Sequence, residues 1–155
     1  MFRREGDVHV AEIFAEPERS VELFASLIDE LPQQIDLTIW CARSGERFAG
    51  EGRFRSEVDE GLRALLPAVA AVGGVEIALY SAEDQLTLSL SAELWVYTRS
   101  PRWPLVLASR GLVERTTADR RSWTVNAGDF CGAPHVIQAV CEVAERLTLS
   151  TSGRG

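Results

Sequence analysis

The sequence predicts an α+β fold in a single domain over residues 1–155: a ferredoxin-like β-α-β-β-α-β unit extended by antiparallel strands and a C-terminal helix. Three observations carry this. Ile35, Leu37 and Ile39 alternate with Asp36, Thr38 and Trp40 at period two, the signature of a half-buried strand. Val21, Phe24, Leu27, Ile28 and Leu31 recur at three- and four-residue spacing, the signature of a core-facing helix. Residues 75–117 then read as three near-consecutive strands with few helix signals between them.

In chain order, Val8, Val10, Ile13 and Phe14 predict a first strand that ends before Pro17. Pro17-Glu18-Arg19-Ser20 opens the first helix, because proline is tolerated where the amide has no helical partner, and Pro32 closes it. The strand over 35–40 is followed by a turn at Ser44-Gly45-Glu46 and a returning strand from Phe48 to Phe54, which together predict a hairpin. Ser56 followed by Asp59 resembles a capping box, and Val58, Leu62, Leu65, Leu66 and Val69 continue as a helix with a kink or break expected at Pro67. Gly73-Gly74 ends that helix, and Val75, Ile77 and Leu79 supply the next strand.

Beyond Ser81, the alternation of Leu86, Leu88, Leu90, Ala92, Leu94 and Val96 with polar residues predicts one long strand, on whose opposite parity fall Trp95 and Tyr97. Leu105-Val106-Leu107 and Leu112-Val113 restore β character, and 119–126 reads as a loop or short strand with Trp123 and Val125. From Pro134 a final helix carries Val136, Val140, Val143 and Leu147 on one stripe, flanked by Ile137, Cys141 and Ala144, and the polar tail from Ser150 is expected to fray.

Composition narrows the function classes. With 46% hydrophobic and 25% charged residues the chain is expected to be globular. The apolar stretch from Leu65 to Val75 contains Pro67, Gly73 and Gly74 and is too short to cross a bilayer. The amino terminus lacks the apolar run of a secretory signal, so no membrane association and a cytoplasmic location are expected. Three cysteines, Cys41, Cys131 and Cys141, are an odd number without C-x-x-C spacing and read as free buried thiols. All 16 basic residues are arginine. The absence of lysine excludes Schiff-base mechanisms and the lysine of a phosphate loop. The net charge is −7, and residues 1–74 hold 14 acidic residues against 8 arginines. Such a chain repels a phosphate backbone, which disfavours nucleic acid as a partner.

Two groups of residues stand out against this background. Cys131 and His135, with Asp129 as a third, orienting group, are the catalytic candidates: a histidine beside a thiolate, near the start of a helix, can activate it. The structural alternative is a turn that precedes a helix and happens to carry them. Trp95, Tyr97, Arg99, Arg102, Trp103, Arg110 and Trp123 are the binding candidates, since tryptophan, tyrosine and arginine dominate interface hot spots. Their alternative is aromatic packing under solvated arginines. His9, His135 and the cysteines match no compact zinc spacing, and no metal or cofactor is implied.

The expectation drawn from these features is a non-enzymatic protein–protein interaction domain, of the inhibitor or immunity-like kind, with a protein partner that meets the acidic first half. The alternative is a small enzyme or ligand-binding domain built on Cys131 and His135. A third class is a homodimer formed through an exposed sheet edge.

Overall fold

The computed structural model describes residues 2–13, 15–112 and 130–152 and is an α+β structure with antiparallel strands. In chain order it contains β1 (Phe2–Glu5), β2 (Val8–Ile13), α1 (Pro17–Leu27), a 3-10 turn (Ile28–Glu30), β3 (Gln34–Cys41), β4 (Glu46–Phe54), α2 (Arg55–Leu62), α3 (Leu65–Val72), β5 (Val75–Tyr80), β6 (Asp84–Leu88), β7 (Leu94–Thr98), α4 (Trp103–Ser109), α5 (Pro134–Arg146) and β8 (Ser150–Ser152). Among the described residues no helix is long and apolar enough to cross a membrane.

The eight strands among the described residues form one sheet in the order β1-β2-β7-β6-β5-β3-β4-β8, and every neighbouring pair is antiparallel. The β-α-β-β-α-β element order is present as β2-α1-β3-β4-α2-α3-β5. Its four strands are not contiguous, because β6 and β7 lie between β2 and β5. The ferredoxin-like description therefore fits the order of elements and not their pairing: the two added strands are inserted into the sheet, and the connection through α1 passes β7, β6 and β5 between β2 and β3.

Parity decides where the core sits. Ala11, Ile13, Leu37, Ile39, Cys41, Val75, Ile77, Leu79, Leu86, Leu88, Leu94 and Val96 are buried and share one face through their cross-strand pairs. The five α-helices among the described residues place their buried side chains in that same core, including Phe24 and Leu27 of α1, Leu62 of α2, Val69 of α3, Trp103 of α4 and Val140 of α5. Each such aliphatic or aromatic side chain contributes about 1.5–3 kcal/mol through removal from water. Among the described residues the helices lie on one face of the sheet.

Several local expectations change. The long strand over 86–96 is a β6–β7 hairpin that turns at Ser89–Glu93, where Ala92 has φ 61° and the Ser89 hydroxyl accepts from the Glu93 amide. Leu88 pairs with Leu94, so the even-numbered residues stay on one face across the turn and the alternation passes through it unbroken. Residues 105–107 are helical: Pro104 sits in the first turn of α4, and the i, i+4 pair Trp103 and Leu107 is buried while Leu105 is 76% exposed. Val113 lies outside the described residues. Ser56 is not the cap of α2, which starts at Arg55 without a side-chain cap. Pro67 falls in the first turn of α3, where a missing amide costs no helical bond. Ser150–Ser152 forms the edge strand β8 on Arg47–Ala49.

No basic residue lies in the last turn of α1, α2, α3 or α4, and arginines from other elements meet some of the helix-end carbonyls instead. Arg43 donates to the carbonyls of Val72 (2.6 Å) and Gly73 (3.1 Å) beyond α3 and to that of Cys131 (2.8 Å) before α5. Arg53 bonds the carbonyls of Leu147 (2.9 Å) and Thr148 (3.0 Å) at the end of α5, and Arg55 those of Asp29 (2.9 Å) and Leu31 (2.6 Å) around the 3-10 turn. A lysine ammonium keeps the charge but cannot reproduce this planar fork. Arg43→Lys is expected to lower the unfolding free energy by about 1–2 kcal/mol in denaturant titration, with the fold retained in far-UV circular dichroism.

Candidate functional site

The binding candidates separate onto different parts of the molecule. Trp103 is fully buried under the helical layer, and its indole Nε1 donates to Asp84 Oδ1 at 2.9 Å. The Thr98 hydroxyl donates to the same oxygen and accepts from the Ser100 amide (2.9 Å), while the Asp84 amide donates to Ser81 Oγ (3.0 Å). Asp84, a residue only 7% exposed, thus fastens α4 to the β6–β7 hairpin.

Arg102 and Arg110 converge on Glu30 at 3.1 and 3.2 Å. Arg102 also donates to the Glu30 carbonyl and lies 5.6 Å from the Trp103 ring centre, and Arg110 bonds the Ser26 hydroxyl (3.0 Å) and carbonyl (3.2 Å). These contacts tie α4 to the end of α1 on the helical side. Trp95 and Tyr97 project from the opposite face of β7, where their rings lie parallel, 9° apart in plane and 6.3 Å between centres. Arg99 is at the rim, 3.6 Å from Asp7, with both side chains exposed. Trp123 lies outside the described residues. The tryptophan–arginine set is therefore not one surface: Trp103, Arg102 and Arg110 hold the helices together, while Trp95 and Tyr97 belong to the other face.

Cys131 and His135 are both exposed. Cys131 precedes α5, which starts at Pro134 after Ala133 in the left-handed region, so the two residues are not one turn apart on a helix. No hydrogen bond joins their side chains among the described residues, and Asp129 lies outside them. The cation of Arg43 is 5.6 Å from the ring centre of Phe130, beside this segment. Cys41 is buried in the core, and Cys131 and Cys141 are exposed, so two of the three thiols expected to be buried are not. Cys141 stands at the surface of α5, yet the partial burial of its sulfur pushes the thiol up from its ordinary range, with Glu46 and then Cys41 adding to the effect. Among the described residues no group of three or more histidine, cysteine or carboxylate side chains could hold a metal.

What the structure does assemble is the other face of the sheet, on which none of the described helices packs although Val10, Glu12 and Ala78 are buried there. Its residues lie in rows perpendicular to the strands. One row runs Ala49, Thr38, Ala78, Thr87, all small, and ends at Trp95 and Glu12. On one side of it stands the row Asp36, Tyr80, Gln85, Tyr97, Val10; on the other stand Arg47, Trp40 and Glu76. The Arg47 guanidinium sits 4.5 Å from the Trp40 ring centre, Gln85 Nε2 donates to Thr87 Oγ1 (3.0 Å), and Asp36 Oδ1 accepts from the amide of Gly52 (2.8 Å). Thr38 and Asp36 are exposed, and Trp40, Tyr80 and Gln85 half-buried.

A shallow depression of about 210 Å³, lined by Val8, Tyr80, Glu83, Gln85, Tyr97 and Arg99, opens at one end of this face. It is smaller than the roughly 300–1,000 Å³ typical of sites that enclose a small ligand. Trp40 and Tyr80 were marked in the sequence by the same parity that placed Trp95 outward: each alternates with core residues. No protein-family model, curated protein or solved structure matches the chain.

Two outcomes test this placement. Asp84→Ala removes the acceptor shared by Trp103 and Thr98 and is expected to destabilise the fold by about 3–5 kcal/mol in chemical denaturation, because two buried donors lose their partner. In the native protein at about pH 8, iodoacetamide followed by mass spectrometry is expected to label Cys131 and Cys141 but not Cys41 until denaturant is added. Since a raised pKa leaves less thiolate at a given pH, Cys141 is expected to react more slowly than free N-acetylcysteine.

Proposed function

We propose that the chain is a non-enzymatic protein-binding domain that meets its partner through the helix-free face of the sheet. The observation that carries this reading is the row of small side chains Ala49, Thr38, Ala78 and Thr87 set between rows that hold Trp40 and Tyr80. A flat solvated sheet needs no such relief, whereas a seat flanked by tryptophan, tyrosine and arginine has the composition of an interface core. A stoichiometric role, such as that of an inhibitor or immunity-like protein which covers a partner's surface, suits a small acidic domain better than turnover does. A cytoplasmic setting agrees with the free cysteines.

Thr38 is exposed at the middle of the row of small residues, so Thr38→Arg obstructs the seat without entering the core. With wild type and this variant immobilised side by side in a lysate of the source cells, the expected result is a protein recovered in near-stoichiometric amount on wild type and reduced by about tenfold or more on the variant. Thermal melts of the two proteins should coincide. Recovery that is identical on both, or of the chain alone, overturns the reading.

A further inference from the structure

We propose that Cys41 and Cys141 are the two halves of an oxidation-sensitive clamp, in which a disulfide formed between them fixes α5 to β3. The first ground is the way α5 is held at both ends. Before its start, Arg43 of the β3–β4 turn donates to the Cys131 carbonyl at 2.8 Å; beyond its end, Arg53 of β4 donates to the carbonyls of Leu147 and Thr148 at 2.9 and 3.0 Å. α5 therefore runs along the β3–β4 pair, and it packs against β3. Cys41 lies two residues from Arg43, about 7 Å along an extended strand, and Cys141 lies seven residues beyond Pro134, about 10 Å along the helix axis. Because helical side chains lean toward the N-terminus, the Cys141 sulfur is carried back to the level of Cys41.

The second ground is which way the two thiols face. Cys41 is fully buried in the core that Val136, Val140 and Ala144 of α5 enter. Cys141 follows Val140 and is one turn from half-buried Ile137 and buried Ala144, so it borders the packed stripe while remaining exposed itself. Its thiol is pushed up by burial first and then by Glu46 and Cys41, so both groups lie near its sulfur. Glu46 is the cross-strand partner of Cys41, which gathers one carboxylate and two sulfurs at the same end of the β3–β4 pair. The chemistry is a two-electron oxidation by a peroxide. The Cys141 thiolate attacks a peroxide oxygen and the O–O bond breaks, leaving a sulfenic acid and hydroxide. The Cys41 sulfur then forms the S–S bond as the S–O bond breaks, and the oxygen departs as water with the Cys41 proton. In sum, two thiols are oxidised and one hydrogen peroxide becomes two waters. Burial shields Cys41 from the oxidant, so Cys141 is the point of entry and Cys41 the resolving thiol. Closure holds the two Cα atoms at about 4.4–6.8 Å, which fixes α5 on β3.

Trypsin leaves Cys41 on peptide 20–43 and both Cys131 and Cys141 on peptide 122–146, so the test uses full-length Cys131→Ser beside full-length Cys141→Ser. Both substitutions are at exposed positions. Each protein is reduced, freed of reductant and exposed to hydrogen peroxide; remaining thiols are alkylated in denaturant, and the digest is mapped by mass spectrometry without reductant. The expected result for Cys131→Ser is a monomer that loses most of both thiols and yields peptide 20–43 joined to 122–146, a product reversed by dithiothreitol. In Cys141→Ser, Cys41 is expected to stay alkylatable. The linked monomer is expected to melt about 5 °C or more above the same variant reduced, because the bridge closes the long loop between positions 41 and 141. Thiols retained by Cys131→Ser, or lost without that link or only into a covalent dimer, overturn the assignment, as does Cys41 joined to Cys131 in Cys141→Ser. A linked monomer that melts no higher than its reduced form overturns the clamp.

Discussion

Arginine forks that close helix ends are the interaction on which the arrangement of this molecule depends. A helix leaves several carbonyls without partners at its C-terminus, and α1, α2, α3 and α4 carry no basic residue in their last turn. Arg43, Arg53 and Arg55 come from the β3–β4 turn, from β4 and from the start of α2, and each binds main-chain carbonyls of segments distant in the chain. These bonds join the helical layer to the rim of the sheet at fixed points. Exclusive use of arginine, which alone implies nothing about folding, thereby acquires a structural role at these positions: a planar group with several donors can serve two or three carbonyls at once.

Anchoring of this kind on one side has a counterpart on the other. Among the described residues every helix packs on the same face, and the opposite face carries the rings of Trp40, Tyr80, Trp95 and Tyr97 beside buried Val10 and Ala78. The Asp84 network shows the same division of labour at finer scale. Its buried carboxylate serves Thr98 and Trp103, and the tryptophan that it holds is removed from any role at the surface. Two residues along β7 from Thr98, Val96 enters the core, while the intervening Tyr97 belongs to the outward rows.

Much of the fold was legible because burial on one side imprints a period. The stripes Val21–Leu31 and Val136–Leu147 and the alternation over 35–40 are direct records of which side chains leave water. The β6–β7 turn left no such record, since pairing Leu88 with Leu94 keeps parity across it. α4 was obscured by its shortness and its run of Leu and Val, and β8 by its composition, for Ser-Thr-Ser joins the sheet by main-chain bonds alone. Strand order is non-local and no period encodes it. The same limit governed the site. Parity separates Trp95 and Tyr97 from the core, but nothing near Trp103 announces that its partner is Asp84, or that Arg102 and Arg110 are taken by Glu30, 72 and 80 positions away.

The rims of the sheet complete the picture. β1 has four residues and β8 three, and β8 covers only Arg47–Ala49 of its nine-residue neighbour, whose remaining length is broken by the irregularity opposite Ile35 and Leu37. Short, interrupted borders make poor templates for a further strand. A broad ribbon of this kind invites runaway stacking of chain upon chain wherever a long border is left bare, and borders of four and three residues give an incoming strand little length to pair with.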